Sequence, residues 1–426
     1  MSVTVPLNHG EPALPDQNQI DLFVRVFPAE GKSEGQLWLI AGGPGESGAS
    51  LYPFIETVRR IAPHFDLFVP DHRGTGFSTH MCPQEEGPDS AGGRELQGQE
   101  WASCFGQLNA DLARTHAFSI ANAAQDLNLL MNRFDSEGPR FLYGVSYGTQ
   151  LVLRTMAIAP PAHLDGIILD SLVPPPADDR DDLSHRSFDT DAVGRAVLAR
   201  CDADATCSQL FTESASAALE ALLADPEASK PLGAQPRYTL GMLLDQPATR
   251  AMIPNVIAGL AARDTAWLDH AIAEMTRTYA PFAAYPQNSS SVPLVSLISR
   301  SENNARPDLT KATIEAEKAS QLFASPLPSL LLSGGFPVYQ PDPQDLQIPT
   351  HLPPVIVLQG TLDPKTPYAA AREHTAMLAM NGDVTMVPVE DAPHFILMTS
   401  PEQFAASVSA FIAAHGMNGG AQALAD

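Results

Sequence analysis

Short, continuous apolar runs recur along the chain and alternate with longer stretches of helical character. Strands that are buried on both faces of a parallel sheet have this pattern, because none of their side chains faces solvent. Two further N-terminal segments, 3–7 and 20–27, are typical of strands joined by a turn region containing Pro, Asn and Gly. The alternation predicts an α/β fold with a mostly parallel central sheet flanked by helices. The apolar runs are residues 37–40, 67–69, 141–143, 167–169, 355–358 and 384–387.

The pattern changes between the proline run at 174–176 and the proline pair at 353–354. This stretch lacks strong strand-like runs and has helical character instead, interrupted by Pro/Ser-rich linkers. We therefore predict a large helical cap, residues 174–352, inserted into a catalytic domain made of residues 1–173 and 353–426. The helical segments are 207–223 and 252–279, and the linkers include 286–293 and 326–343.

Composition limits the classes of protein that the chain can belong to. Hydrophobic residues make up 44% and charged residues 17% of the 426, which supports a large core and disfavours global disorder. No apolar run is long enough to span a bilayer, and no signal peptide is visible at the start of this sequence. The net charge of −24 disfavours binding to nucleic acid or anionic membranes. Such acidity attracts cationic groups such as peptide amino termini, although solubility alone is the simpler explanation.

A serine motif follows one of the predicted strands. The sequence G-V-S-Y-G at 144–148 lies between the apolar run 141–143 and a helix-like stretch at 149–153. A serine between glycines on a strand-to-helix turn resembles the nucleophile elbow of α/β-hydrolases. Because this motif also occurs by chance, its weight depends on a base and an acid elsewhere in the chain. In α/β-hydrolases these follow in the order serine, acid, histidine.

Two later loops provide candidates for the acid and the base. Asp363 lies just beyond the predicted strand 355–358, and His394 lies between the strand 384–387 and a helix-like stretch at 401–414. Asp391 competes with Asp363 because it is nearer to His394 in sequence. We favour Asp363 on its position after the strand, and predict a triad of Ser146, His394 and Asp363.

Acyl transfer also needs fixed N–H donors for the negative oxygen of the transition state. One predicted donor is the backbone of Tyr147, directly after the serine, and the second is Gly43, in the Gly/Pro loop after strand 37–40. A phosphate-binding loop would need a Lys-Ser/Thr pair or G-x-G-x-x-G, which this loop lacks. We expect no cofactor and no metal, since no cysteine lies in a C-x-x-C and no nearby histidines complete a zinc pattern.

The cysteines form two closely spaced pairs, Cys82 with Cys104 and Cys201 with Cys207. Two local disulfides, which imply an oxidising compartment, and four buried free thiols are both compatible with this spacing. The residues alone leave this choice open.

Together these motifs resemble those of the prolyl and tripeptidyl aminopeptidase family of α/β-hydrolase serine peptidases. Residues 42–48 are similar to its GGPGxSG oxyanion loop, and residues 360–367 are similar to its acid loop. Residues 71–78 are similar to its D-x-R-G-x-G-x-S turn, which we interpret as structural support. The resemblance runs from about residue 5 to residue 411, and it implies an α/β-hydrolase fold.

The resemblance also implies the disulfides Cys82–Cys104 and Cys201–Cys207, and with them a secreted or periplasmic location. Near the predicted site, the sequence departs from the family's pattern at two positions. Pro393 precedes His394 where the family often has glycine, and Glu46 stands where the family often has a small residue.

Aminopeptidases of this kind hold the substrate's α-ammonium with carboxylates. Glu302 resembles an acidic position in the family's cap and is our preferred ligand. Glu46 is a second candidate, since a carboxylate beside the oxyanion loop either binds the amine or faces solvent. The acidic run at 178–182 provides further candidates, although such a run is more typical of a solvated linker. Its acidic residues are Asp178, Asp179, Asp181 and Asp182.

We predict a serine hydrolase, of the aminopeptidase type, that releases residues or short peptides from free N-termini. The alternative is a carboxylesterase or lactonase acting on small esters, since the same machinery cleaves both bonds. A non-catalytic, ligand-binding α/β-hydrolase is a third possibility. The expected partner is a small peptide or ester, with neither nucleic acid nor membrane. The sequence leaves open the oligomeric state and the number of residues released.

Overall fold

The computed structural model describes residues 1–10, 18–92, 95–176, 178–332 and 334–416. Its centre is an eight-stranded sheet. In chain order the strands are β1 (Ser2–Pro6), β2 (Gln19–Phe27), β3 (Gly35–Ile40), β4 (Phe65–Asp71), β5 (Arg140–Val145), β6 (Gly166–Asp170), β7 (Val355–Gly360) and β8 (Val384–Val389). They lie in the order β1-β2-β4-β3-β5-β6-β7-β8, antiparallel at β1/β2 and β2/β4 and parallel at every other pair.

Burial explains why the sequence marks the central strands so clearly. Strands β3, β5, β6 and β7 are buried along their whole length, so continuous apolar runs are expected there. In contrast, β1 and β2 alternate between buried and exposed positions. The predicted fold, a mostly parallel sheet flanked by helices, is confirmed.

Helices cover both faces of the sheet. Those outside the β6–β7 connection are α1 (Ile55–Ile61), α2 (Glu100–Ala110), α3 (Leu112–His116), α4 (Ile120–Arg133), α5 (Tyr147–Ile158), α15 (Tyr368–Leu378), α16 (Ile396–Thr399) and α17 (Pro401–His415). On one face Trp38 and Leu142 belong to the same apolar cluster as Leu127 of α4. On the other face Tyr143 packs edge-to-face against Phe404 of α17. None of the described helices is long and apolar enough to cross a membrane.

The predicted helical insertion is present between β6 and β7. Its helices are α6 (Arg186–Ala203), α7 (Ala215–Ala224), α8 (Pro226–Ser229), α9 (Pro236–Met242), α10 (Pro247–Ala261), α11 (Ala266–Tyr279), α12 (Val292–Glu302), α13 (Lys311–Lys318) and α14 (Leu327–Leu330). Part of it packs around its own apolar cluster, which includes Leu198, Ile257 and Phe323. The domain boundaries at 174 and 353 stay predictions, and residues 417–426 lie outside the described part.

Both long helices that we predicted in the insertion are in fact interrupted. The segment 207–223 divides into a 3-10 turn, Cys207–Leu210, and α7, because the Ser214 side chain accepts the Ala217 N–H and so caps a new helix. The segment 252–279 divides into α10 and α11 at Arg263, whose φ is +63°. Asp264 then accepts the N–H of Ala266 at 3.0 Å. The sequence pattern predicted helix in both segments, but the prediction did not take into account the local residues at which a new helix begins.

Both disulfides are present. Cys82–Cys104 joins the segment after β4 to α2, and Cys201–Cys207 closes a short turn at the end of α6. The predicted pairing is therefore confirmed, whereas the secreted or periplasmic location stays a prediction.

Candidate active site

Ser146 lies at the turn between β5 and α5, with φ 54° and ψ −124°. A non-glycine residue holds such a conformation only where its surroundings enforce it. Its N–H donates to the Asp170 carbonyl at 2.9 Å, and its carbonyl accepts the Thr149 N–H at 2.8 Å. A Cβ added to Gly148 would lie 2.6 Å from the Ile40 carbonyl oxygen, so the turn packs closely against β3. The serine hydroxyl is thus presented on a rigid, strained turn.

Asp363 and His394 meet across the loops that follow β7 and β8. His394 Nδ1 lies 2.8 Å from Asp363 Oδ2. The other oxygen of this buried carboxylate accepts the N–H groups of Lys365 and Thr366 at 2.7 and 2.9 Å. Burial alone would raise the pKa of Asp363, but His394 and the Thr366 hydrogen bonds outweigh it and lower the pKa. An ionised Asp363 therefore fixes the orientation of the His394 ring.

Two polar residues at the end of β6 hold the histidine loop in place. Asp170 accepts the N–H groups of Ile396 and Leu397 at 2.8 and 2.9 Å, and Ser171 Oγ accepts the N–H of Phe395 at 2.8 Å. These groups directly follow His394 in the chain. Sequence reasoning missed this pair. The available signal was a polar Asp-Ser step immediately after a buried apolar strand.

Asp391, the competing acid, lies in a different environment. Its side chain is exposed, and it forms an ion pair with Arg200 of α6. The hydrogen bonds therefore favour Asp363 over Asp391 as the partner of His394.

Ser146 and His394 line one cavity of about 770 Å³, large enough for a small organic substrate. No hydrogen bond joins the Ser146 hydroxyl to His394 within the described residues. Such catalytic hydrogen bonds are often long before substrate binds and shorten in the complex. In this structure Ser146 and His394 are therefore related by lining the same cavity, and not by a hydrogen bond between them.

The loop after β3 passes directly beside the serine. A Cβ added to Gly42 would lie 3.2 Å from Ser146 Cβ, and Gly43 has a φ of +115°. The Gly45 carbonyl accepts the N–H of Ser291, the residue that caps α12 of the insertion, at 2.9 Å. Gly43 and Tyr147, the two predicted oxyanion donors, both line the cavity.

The D-x-R-G turn that begins at Asp71 helps to hold this loop in place. Asp71 accepts the N–H of Gly48 at 2.7 Å, and the buried Arg73 binds both oxygens of Asp126 on α4 at 2.6 and 2.7 Å. Arg73 also donates to the carbonyl of Ala117 at 2.6 Å. These contacts agree with the structural role that we assigned to the turn.

A family model described as the alpha/beta hydrolase fold matches residues 37–401, which is most of the chain. The chain belongs to this family. It is an alpha/beta hydrolase. The predicted serine, acid and histidine follow one another in the chain order that such a triad has in α/β-hydrolases. The match does not extend to the finer aminopeptidase resemblance.

Solved structures of low sequence identity cover almost the whole hydrolase. A proline iminopeptidase from Mycobacterium smegmatis is 16% identical with a TM-score of 0.44, covering 98% of this chain and 99% of the other. A thermophilic esterase from Thermogutta terrifontis is 14% identical with a TM-score of 0.42, covering 98% and 99%. No curated protein matches the sequence. Such distant likenesses carry no argument about the reaction.

The two predicted ammonium ligands of the hydrolase differ in how they are partnered. Glu302 is enclosed, and its oxygens are bound by Arg154 Nη2 at 2.7 Å and by the Tyr339 hydroxyl. Glu46 instead faces the cavity with no hydrogen bond or ion pair to any described residue. Its Oε2 lies 3.5 Å from where a Cβ of Gly42 would be, and so close to the serine. Glu46 is exposed to the cavity. Desolvation by the surrounding protein nevertheless raises the pKa of its carboxyl, against the opposing charges of Lys365 and His394.

The acidic run 178–182 is mostly not a solvated linker. Asp178, Asp181 and Asp182 line the cavity, and only Asp179 of the four aspartates is exposed. The interpretation as a linker was wrong for the other three, because the segment packs against other parts of the insertion. Asp182, for example, accepts the N–H of Ala305 at 2.5 Å.

Three cations also line the cavity of this hydrolase, and sequence reasoning singled out none of them. They are Arg154, Arg186 and Lys365. Lys365 lies 3.0 Å from Asp245. In the part of the chain that the structure covers, no cluster of three or more His, Cys, Asp or Glu side chains is arranged to hold a metal ion.

Proposed function

We propose that this alpha/beta hydrolase is a serine hydrolase of the aminopeptidase type, which acts through Ser146, His394 and Asp363. His394 takes the proton of the Ser146 hydroxyl as its oxygen attacks the scissile carbonyl carbon. The backbone N–H groups of Gly43 and Tyr147 stabilise the negative oxygen that forms. His394 then gives its proton to the leaving amine, and an acyl-enzyme remains on Ser146.

A water molecule completes the reaction. His394 removes a proton from the water as it attacks the ester carbon of the acyl-enzyme, and returns that proton to Ser146 Oγ as the acid product leaves. Asp363 stays ionised throughout and stabilises the imidazolium that forms in each half of the reaction.

The observation that supports the aminopeptidase assignment is the unpartnered carboxylate of Glu46 beside Ser146. A free α-ammonium lies within a few bonds of the first scissile carbonyl, so its partner must be close to the nucleophile. An ionic hydrogen bond in a partly enclosed site is among the stronger polar contacts. Glu46 is therefore our preferred ligand for the substrate amine, ahead of Glu302.

A carboxylesterase or lactonase is the second candidate. It is favoured by the contacts of Glu302, whose oxygens are already bound by Arg154 and Tyr339. Glu302 is then not free to bind a substrate amine, and the triad cleaves esters equally well.

The deciding experiment compares free and N-acetylated peptide anilides, graded from one to three residues, with nitrophenyl esters. We expect the free amines to be cleaved at least about 100-fold faster in kcat/KM, because acetylation removes a charge-assisted bond. Glu46→Gln should lower this preference about 10-fold or more and leave ester cleavage nearly unchanged. The exposed Glu56→Gln is the matched control.

Equal cleavage of free and acetylated anilides would overturn the aminopeptidase assignment. If only the esters are cleaved, the second candidate replaces it. Failure of a fluorophosphonate probe to label Ser146 would instead favour a ligand-binding protein without catalysis.

A further inference from the structure

Arg186 is a buried cation without a bound partner. Its residue is 7% exposed, it lines the catalytic cavity, and its guanidinium has no hydrogen bond or ion pair to any of the residues described. The Nε atom is fully enclosed and unsatisfied. An unpaired charge in such a place is costly, because desolvation is not offset by a contact.

The other two cations of the cavity wall are partnered. Arg154 lies 2.7 Å from Glu302, and Lys365 lies 3.0 Å from Asp245. Arg186 has only the longer-range attraction of carboxylates such as Asp189, Asp363 and Asp245. Its Nη donors are therefore still available to a ligand in the cavity.

The position of Arg186 in its helix is also unfavourable. Arg186 is the first residue of α6, and the N-terminal end of a helix favours negative rather than positive charge. Neither burial nor the helix dipole explains a cation here. Residues that break local rules of stability in this way are expected at functional sites.

We propose that Arg186 binds a carboxylate of the substrate. The planar guanidinium presents parallel N–H donors that match both oxygens of a carboxylate. This inference rests on the proposed hydrolase function and adds a substrate class to it. With Glu46 for the ammonium and Arg186 for the carboxylate, the cavity is suited to short zwitterionic peptides. The carboxylate is either the C-terminus of such a peptide or an acidic side chain.

The first experiment uses the wild-type protein with matched short peptides. One pair differs only in a C-terminal carboxylate or amide, and a second, amide-capped pair differs only in a Glu or Gln side chain. We expect the carboxylate member of at least one pair to be preferred about 10- to 100-fold in kcat/KM, mainly through KM. The pair that responds identifies the source of the carboxylate.

Variants then test whether Arg186 causes the preference. Arg186→Met should abolish it by slowing the carboxylate substrate alone, and Arg186→Lys should retain part of it. Arg195→Met, on the same helix but with a 41% exposed side chain paired to Asp191, is the matched control. Equal loss on carboxylate and amide substrates would show a structural role and overturn the proposal.

A parallel pair of esters separates this inference from the aminopeptidase assignment. Nitrophenyl hemisuccinate and nitrophenyl butyrate have acyl chains of equal length, and only the first carries a carboxylate. Preference for the hemisuccinate without any peptide cleavage would retain the carboxylate site and overturn the aminopeptidase. If wild type shows no preference in any pair, the proposal is wrong, even where Arg186→Met does not fold.

Discussion

Asp363 in the sheet domain and Asp189 in the insertion are carboxyl groups whose pKa values shift in opposite directions. On the sheet side, Asp363 is surrounded by donors from Thr366 and His394, and its pKa lies below the usual range. On the insertion side, burial raises the pKa of Asp189 to about 8, helped by a hydrogen bond to the neighbouring Asp181 and opposed by Arg186. Asp363 is therefore ionised, whereas Asp189 keeps a proton that it shares with Asp181.

This difference corresponds to a division of roles between the residues proposed for catalysis and the residues proposed for substrate binding. The carboxyl ends of parallel strands meet at one edge of the sheet, so the loops after β5, β7 and β8 bring Ser146, Asp363 and His394 to the same place. Charge there is fixed by backbone donors that cannot move away. The insertion instead offers carboxyls and an arginine whose partners are incomplete, as expected of surfaces that a charged substrate completes.

The largest effect is expected when the proposed nucleophile in the sheet domain is removed. Ser146→Ala should lower kcat on the preferred anilide or ester on the order of a million-fold, since members of a triad act as a unit. Steady-state kinetics measure this, with Ser290→Ala, another cavity-lining serine, as control. Residual activity within about a hundred-fold of wild type would remove Ser146 from the mechanism.

The paired variants Asp363→Asn and Asp391→Asn compare the two candidate acids. Asp363→Asn should reduce kcat about 10⁴-fold, because an amide cannot stabilise the His394 imidazolium and favours the wrong tautomer. Asp391→Asn removes only an exposed ion pair to Arg200, so its kcat should stay within a few-fold of wild type. A reversed order of the two effects would exchange the roles.

The comparison also explains what the sequence could predict. Ser146 and Asp363 each follow a fully buried strand, β5 and β7, and are marked by a local motif within a few residues of it. His394 follows β8, which is only partly buried. The helical insertion was likewise visible as a local pattern, whereas the two disulfides were implied only by the family resemblance.

The cavity wall could not be predicted, because its partners are distant in sequence. Glu302 meets Arg154 across 148 residues and Tyr339 across 37. Nothing local to Glu302 indicates that its charge is already compensated. The unpaired state of Arg186 is equally invisible, since it depends on which acids the folded insertion brings near it.

The two disulfides test whether the sheet side and the insertion unfold separately. Replacing Cys82 and Cys104 by serine should lower the free energy of unfolding by about 3 kcal/mol, and replacing Cys201 and Cys207 by about 2, because the longer loop loses more chain entropy. Urea unfolding followed by fluorescence measures both. If both double variants shift the same transition, the two regions unfold as one unit, and the contrast between them does not extend to stability.

The smallest expected effect is the contribution of Asp189, in the insertion, to the pH dependence of stability. Between about pH 4 and pH 8, folded Asp189 keeps a proton that the unfolded chain has lost, so its contribution lowers stability as pH rises and levels off above about 8. Asp363 has a lowered pKa, so its contribution is already complete above about pH 4 and is lost only as pH falls further. Urea midpoints from pH 5 to 9 should therefore fall less steeply in Asp189→Asn than in wild type. The exposed Asp179→Asn should keep the wild-type profile, and an unchanged profile in Asp189→Asn would show that Asp189 and Asp363 do not differ in this way.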